Sequence, residues 1–97
     1  MTDGQSVISP DVLARYAADA AREVPGVHGV TANGVKVTRA DGQLSVELHL
    51  TLDWSANAPT VGAQVQARVA EVLAGMADAR PETVDVVVDE WRSASSA

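Results

Sequence analysis

Leu44-Ser45-Val46-Glu47-Leu48-His49-Leu50-Thr51-Leu52-Asp53 alternates apolar and polar residues without a break. A β-strand sends successive side chains to opposite faces, so this stretch reads as a strand with one buried face. Its other face is wet or covered by a partner. Trp54 stands at the next apolar position and is expected to continue the buried series. Just upstream, Asp41-Gly42 is a strong two-residue hairpin signal, because both central positions of the favoured turn need positive φ. Closing the chain there sets Val37 opposite Val46 and Val35 opposite Leu48. It also sets Thr38 opposite Ser45 and Lys36 opposite Glu47, which predicts an ion pair on the polar face.

Outward from this hairpin the pattern turns helical on both sides. Ser9 suits an N-cap, Pro10 the first helical position, and Asp11 the positive end of the helix dipole. Leu13, Ala17, Ala20 and Val24 recur at helical spacing with Val12 and Tyr16 beside them, and Pro25-Gly26 ends the run. After Ser55-Ala56-Asn57-Ala58, Pro59 opens a second helix whose apolar side is Val61, Val65, Val69, Val72, Leu73 and Met76. It should end near Ala79, ahead of Pro81. A last strand is expected from Thr83 to about Glu90, with Val84, Val86 and Val88 on one face. Asp85, Val87, Asp89 and Trp91 are expected on the other.

The order helix-strand-strand-helix-strand predicts an α+β, two-layer domain with two helices packed on one face of a three-stranded mixed sheet. Residues 8–91 form the single domain in this reading, with 1–7 and 92–97 as flexible ends. The 97 residues suffice for one domain, and a core of Val, Leu and Ala without Phe yields only a thin stability margin. Association with a second copy or a partner would help such a fold.

A net charge of -6 argues against nucleic acid and against anionic membrane surfaces, both of which call for clustered Lys and Arg. The absence of cysteine excludes disulfides, thiolate catalysis and cysteine–zinc sites. No apolar run approaches the roughly 18–20 residues that cross a bilayer, so direct membrane insertion is not expected. The opening Met1-Thr2-Asp3-Gly4-Gln5-Ser6 lacks the basic and apolar regions of a signal peptide, which predicts a cytoplasmic location.

Few residues suggest chemistry. No Ser stands in a nucleophile elbow or at a known spacing from His28 or His49, so no catalytic residues are assigned and no enzyme activity is expected. His28 and His49 with Asp41, Asp53, Asp85 and Asp89 lack a paired-His metal spacing, so no metal or other cofactor is expected. Imidazole titrates near neutrality, which makes His49 a chemically conceivable pH sensor. Gly26-Val27-His28-Gly29 has the spacing of the KH-domain glycine clamp for RNA, but the glycines read better as a helix cap and a tight turn. The richest surface is the outer sheet face, where Lys36, Glu47, His49, Thr51, Val87 and Trp91 form a candidate interaction surface. The competing reading of Trp91 is a lid folded over the end of the sheet.

Ile8-Ser9-Pro10, Val12-Leu13, Ala17, Ala20-Ala21 and Val24-Pro25-Gly26-Val27 together resemble the opening of the alkaline shock protein family of bacterial envelope stress proteins. Gly34-Val35-Lys36-Val37 is similar to that family's first strand. Pro59, Val65-Gln66, Val69, Val72 and Met76 resemble its second helix, and Val84-Asp85-Val86-Val87-Val88 its closing strand. The resemblance runs from Ile8 to Asp89, and the order of the pieces with the Val-Pro-Gly-Val junction carries its specificity. It implies a non-enzymatic cytosolic scaffold of envelope homeostasis that self-associates, or that is held beneath the membrane by a small integral membrane anchor protein. The short link from Val30 to Gly34 departs from the glycine-rich insertion of many members. Trp54-Ser55-Ala56-Asn57 replaces a common tyrosine–glycine turn, and both departures bear on the partner rather than the fold. A KH-like RNA-binding regulator and a small enzyme or metal-binding domain stand as the alternatives.

Overall fold

The computed structural model describes residues 9–77 and 80–92. Helix α1 (Pro10–Arg22) leads into strand β1 (Val27–Ala40), then β2 (Gln43–Asp53), helix α2 (Ala58–Ala77) and β3 (Thr83–Arg92). The strands form one sheet in the order β1-β2-β3. β1 pairs with β2 antiparallel and β2 with β3 parallel, so the sheet is mixed and β2 is its centre. This is the expected helix-strand-strand-helix-strand α+β fold.

Local chemistry accounts for each boundary. The Ser9 hydroxyl accepts a hydrogen bond from the Val12 amide at 3.3 Å, capping α1. Asn57 does the same for α2, its side-chain oxygen accepting from the Thr60 amide at 3.0 Å. At the hairpin, Asp41 (φ 53°) and Gly42 (φ 77°) both take left-handed backbone, as the turn requires. The four cross-strand pairs expected from that turn, Val35 with Leu48 through Thr38 with Ser45, are all present.

Both helices cover one face of the sheet. Leu13, Ala17, Ala20 and Ala21 of α1 and Val61, Val65, Val69 and Leu73 of α2 form one core with Leu44, Val46, Leu48, Leu50 and Leu52. Burying each such leucine contributes about 1.5–3 kcal/mol. The alanine stripe of α1 gives the helix a close approach. Gly26 lies where α1 meets β1, at φ 97°, and a Cβ there would stand 2.8 Å from Val61 Cγ2 and 3.3 Å from Ala56 Cβ. Glycine is therefore required twice over, by conformation and by space.

Several sequence expectations are corrected. Strand β1 begins at Val27 rather than near Gly34, and Gly29 is a strand residue opposite Thr51 instead of part of a tight turn. Trp54 does not continue the buried series: β2 ends at Asp53, the chain turns, and the indole is 73% exposed. Met76 is exposed along with Gly75, because among the described residues nothing covers the last turn of α2. β3 runs on to Arg92, past the boundary expected at Glu90. The ends expected to be flexible lie outside the described residues apart from Arg92, and so does the expected helix end near Ala79.

Candidate interaction surface

The face of the sheet opposite the helices is built from the polar half of β2: Ser45, Glu47, His49, Thr51 and Asp53, all half-buried. Two irregularities of the neighbouring strands flank His49. On β1, Val30 faces Leu50 and Val35 faces Leu48, so Thr31–Gly34 bulge out opposite His49 alone. Asn33 adopts φ 57° within this bulge, and a Cβ on Gly34 would lie 3.0 Å from His49 Cβ and 2.7 Å from the Thr31 carbonyl oxygen. On β3, Val88 faces Leu50 and Glu90 faces Thr51, which leaves Asp89 as an extra residue.

These bulges aim their side chains at one point. His49 Nε2 lies 2.6 Å from Glu47 Oε2, and His49 Nδ1 lies 3.0 Å from Asp89 Oδ1. The Thr31 hydroxyl donates to Asp89 Oδ2 at 3.0 Å. Ionised carboxylates only accept, so both contacts are satisfied together by the imidazolium form, which donates from both ring nitrogens. The hydrogen bond to Glu47, then that to Asp89, raise the His49 pKa above its ordinary value, against a smaller opposing effect of burial. The hydrogen bond from His49 lowers the Asp89 pKa, with burial opposing and the Thr31 hydroxyl assisting.

The expected surface residues are thus partly gathered. Glu47 and His49 are bonded, and Val87 lies level with His49 on β3 with 38% exposure. Thr51 pairs with Gly29 and Glu90. Lys36 stands opposite Glu47, but among the described contacts no ion pair joins them, since the Glu47 carboxylate is taken up by His49. Trp91 leaves the group. The extra residue at Asp89 reverses the alternation, so Trp91 comes level with Leu52 on the helix-bearing side of the sheet, 40% exposed. Glu90 and Arg92 take the outer positions and are bonded to each other at 3.2 Å. Trp91 therefore stands near the end of the sheet. The Trp54 amide donates to the carbonyl of the next residue, Arg92, at 2.7 Å.

Of the four bonded residues, Thr31 was not recognised from sequence, and Asp89 was weighed with His49 only as a metal ligand. Thr31 gave no signal, being one polar residue in the Val30–Gly34 link. Asp89 was visible as a polar residue on the outer face, but its contact with His49 depends on the bulge. Beside them lies a shallow cavity of about 540 Å³ lined by Thr31, Thr51, Asp89, Glu90 and Arg92. At the same end His28 Nδ1 stands 3.4 Å from Asp53 Oδ1. Among the described residues, no group of three His, Cys, Asp or Glu side chains is arranged to hold a metal ion. None of the described helices is long and apolar enough to cross a membrane. The Gly26–Gly29 segment runs from a helix into a strand, whereas the RNA clamp it resembles joins two helices.

Comparison with known proteins agrees with this architecture. The alkaline shock protein 23 family, of cell envelope-related function, matches residues 30–92. No curated protein sequence matches the chain. Among solved structures, a double variant of the MamM C-terminal domain superposes with a TM-score of 0.70 at 19% identity, covering 90% of this chain and 88% of that one. A further MamM variant gives a TM-score of 0.57 at 18% identity over 82% of this chain and 83% of the other. A nickel form of the MamM C-terminal domain gives 0.59 at 18% identity over 82% and 96%. At such identities the likeness concerns the fold alone.

Proposed function

Since the chain belongs to the alkaline shock protein 23 family, whose function is related to the cell envelope, we propose that it is a non-enzymatic interaction module of the envelope stress response. In this reading it is a cytosolic scaffold that self-associates and binds a small membrane-anchored partner. The observation that carries the proposal is the outer sheet face, which neither helix covers. It presents Val87 beside the bonded His49 group, with Lys36 exposed on the far strand. An exposed apolar residue set beside bonded polar and charged groups is what the rim of a protein contact offers. A thin core adds to the argument, because covering that face would bury further apolar area.

Val87 is the residue to test. Replacing it by Asp should leave the circular dichroism spectrum unchanged, because the side chain is outside the core. It should also reduce the assembly size measured by light scattering and the recovery of membrane protein in a cross-linked pull-down. Unchanged assembly size together with unchanged recovery would remove the outer face as the interface.

Two other readings have less support. RNA binding by a KH-like surface lacks a basic groove, since the outer face carries Glu47, Asp85, Asp89 and Glu90 against Lys36 and Arg92. A small enzyme or metal-binding domain finds both ring nitrogens of His49 engaged by carboxylates, and His28 set beside Asp53 alone among the described ion pairs.

A further inference from the structure

The strongest unexplained feature is the convergence of two bulges on one imidazole. Neither bulge is needed to build the core, since Val30, Val35, Val86 and Val88 pack against it from regular positions on either side. Each bulge interrupts a hydrogen-bonded ladder and so weakens the pairing around it. The interrupted ladders are bridged instead by side chains: Thr31 of β1 to Asp89 of β3, and Asp89 to His49 to Glu47 on β2. The last turn of sheet, from Asp89 to Arg92, lies beyond the β3 bulge at an open edge. Its described ties to the rest of the chain are this side-chain group, the pairing of Glu90–Arg92 with β2, and the Trp54 amide.

We propose that Thr31, Glu47, His49 and Asp89 form a pH-operated clasp that holds the end of β3 and the β1 bulge to the central strand, closed while the imidazole is charged and open when it is neutral. The chemistry follows from donor counting. An imidazolium donates from both nitrogens and satisfies both carboxylates. Neutral imidazole has a single N–H, so one carboxylate must then face a nitrogen lone pair and withdraw. The charges around the group act in the same direction. Lys36 of β1 and Asp85 of β3 stand level with Glu47 on either side, and Glu90 and Arg92 of β3 and Asp53 of β2 lie toward the strand end, near His28. The acids outnumber the cations there, so loss of the imidazolium charge leaves Glu47, Asp85, Asp89 and Glu90 repelling one another. Helices α1 and α2 lie on the opposite face of the sheet, and of the two it is α1 that reaches the β1 bulge, its Asp11, Arg15 and Arg22 lining a cavity with Thr31–Gly34. The upward displacement of the His49 pKa extends the closed form to higher pH than an ordinary imidazole would allow.

The test is amide hydrogen exchange along β3 of the full chain, read as protection factors at a series of pH values, with the His49 imidazole followed by NMR in the same samples. Protection of Glu90–Arg92 should fall, relative to Val84–Val86, as pH rises through the His49 titration. His49→Gln should show low protection of that end at every pH and no step. Asp89→Asn removes one of the two carboxylates and should shift the His49 titration to lower pH, so the inference stays testable if His49→Gln does not fold. Two results would overturn it: a step that persists in His49→Gln, or His49 titrating in the native chain while protection of the strand end stays level.

Discussion

Thr31 and Asp89 stand 58 residues apart in the chain and are hydrogen-bonded at 3.0 Å across the outer sheet face. Their strands do not pair with each other, since β2 lies between them. The contact reaches over the central strand because both residues sit in bulges that lift them beside His49. One side-chain bond thus ties the two edges of the sheet together, and this relationship organises the outer face.

The pH dependence of global stability follows from the same group. The pKa of His49 is raised above its ordinary 6.5, so the stability it contributes is fully present below that value and lost as pH rises through the folded pKa. The pKa of Asp89 is lowered from 3.8, so its contribution is fully present above that value and lost as pH falls through the folded pKa. Urea unfolding midpoints should therefore be highest between these two values and decline on the alkaline side. His49→Gln should remove the alkaline decline; a decline of the same size in the variant would assign it to another group.

Gly26 should not tolerate a side chain. Alanine at φ 97° would be strained, and its Cβ would meet Val61 Cγ2 at 2.8 Å. Gly26→Ala is expected to lower unfolding free energy by about 1–3 kcal/mol. Pairing it with Val61→Ala should recover part of that loss in a double-mutant cycle, because the clash is relieved while the backbone strain is not.

Leu48 is fully buried at the centre of β2, between Val35 on one side and Val86 on the other. Leu48→Ala should cost about 2–5 kcal/mol. For a domain of this size that approaches the whole margin, so the expected observation is a partly unfolded population at 25 °C by circular dichroism.

Trp54 is the most exposed of the large apolar side chains among the described residues, at 73%. Trp54→Ser should change stability by no more than about 0.5 kcal/mol, as surface positions usually do. Any fall in assembly size in this variant would then report on an interface at the Trp54–Trp91 end, and an unchanged size would exclude that end from the proposed self-association.

Much of the fold was legible in the residues themselves. Asp41-Gly42 and the alternation from Leu44 to Asp53 together determined the hairpin and its register, because turn chemistry and the period of a strand are both local. Ser9, Pro10 and the Leu13–Ala17–Ala20 spacing determined the first helix for the same reason. The valine positions of α2 located its buried face as far as Leu73. Placing both helices on one face follows from having a single apolar stripe on each element to cover.

The site was legible only in part, and the difference has one physical cause. The face a residue takes in a strand depends on counting by twos from a paired neighbour, and a single extra residue reverses every side chain that follows. Asp89 is such a residue, so Trp91 moved to the helix side and Glu90 and Arg92 took the outer positions. Thr31 could not be linked to His49 because the Thr31–Gly34 bulge exists only against a partner strand. The sequence by itself determined which elements form and how the hairpin pairs, since those choices are made by neighbours in the chain. Only the tertiary structure decided that His49, Glu47, Asp89 and Thr31 meet, since the bulges that bring them together are set by how β1 and β3 fit the central strand.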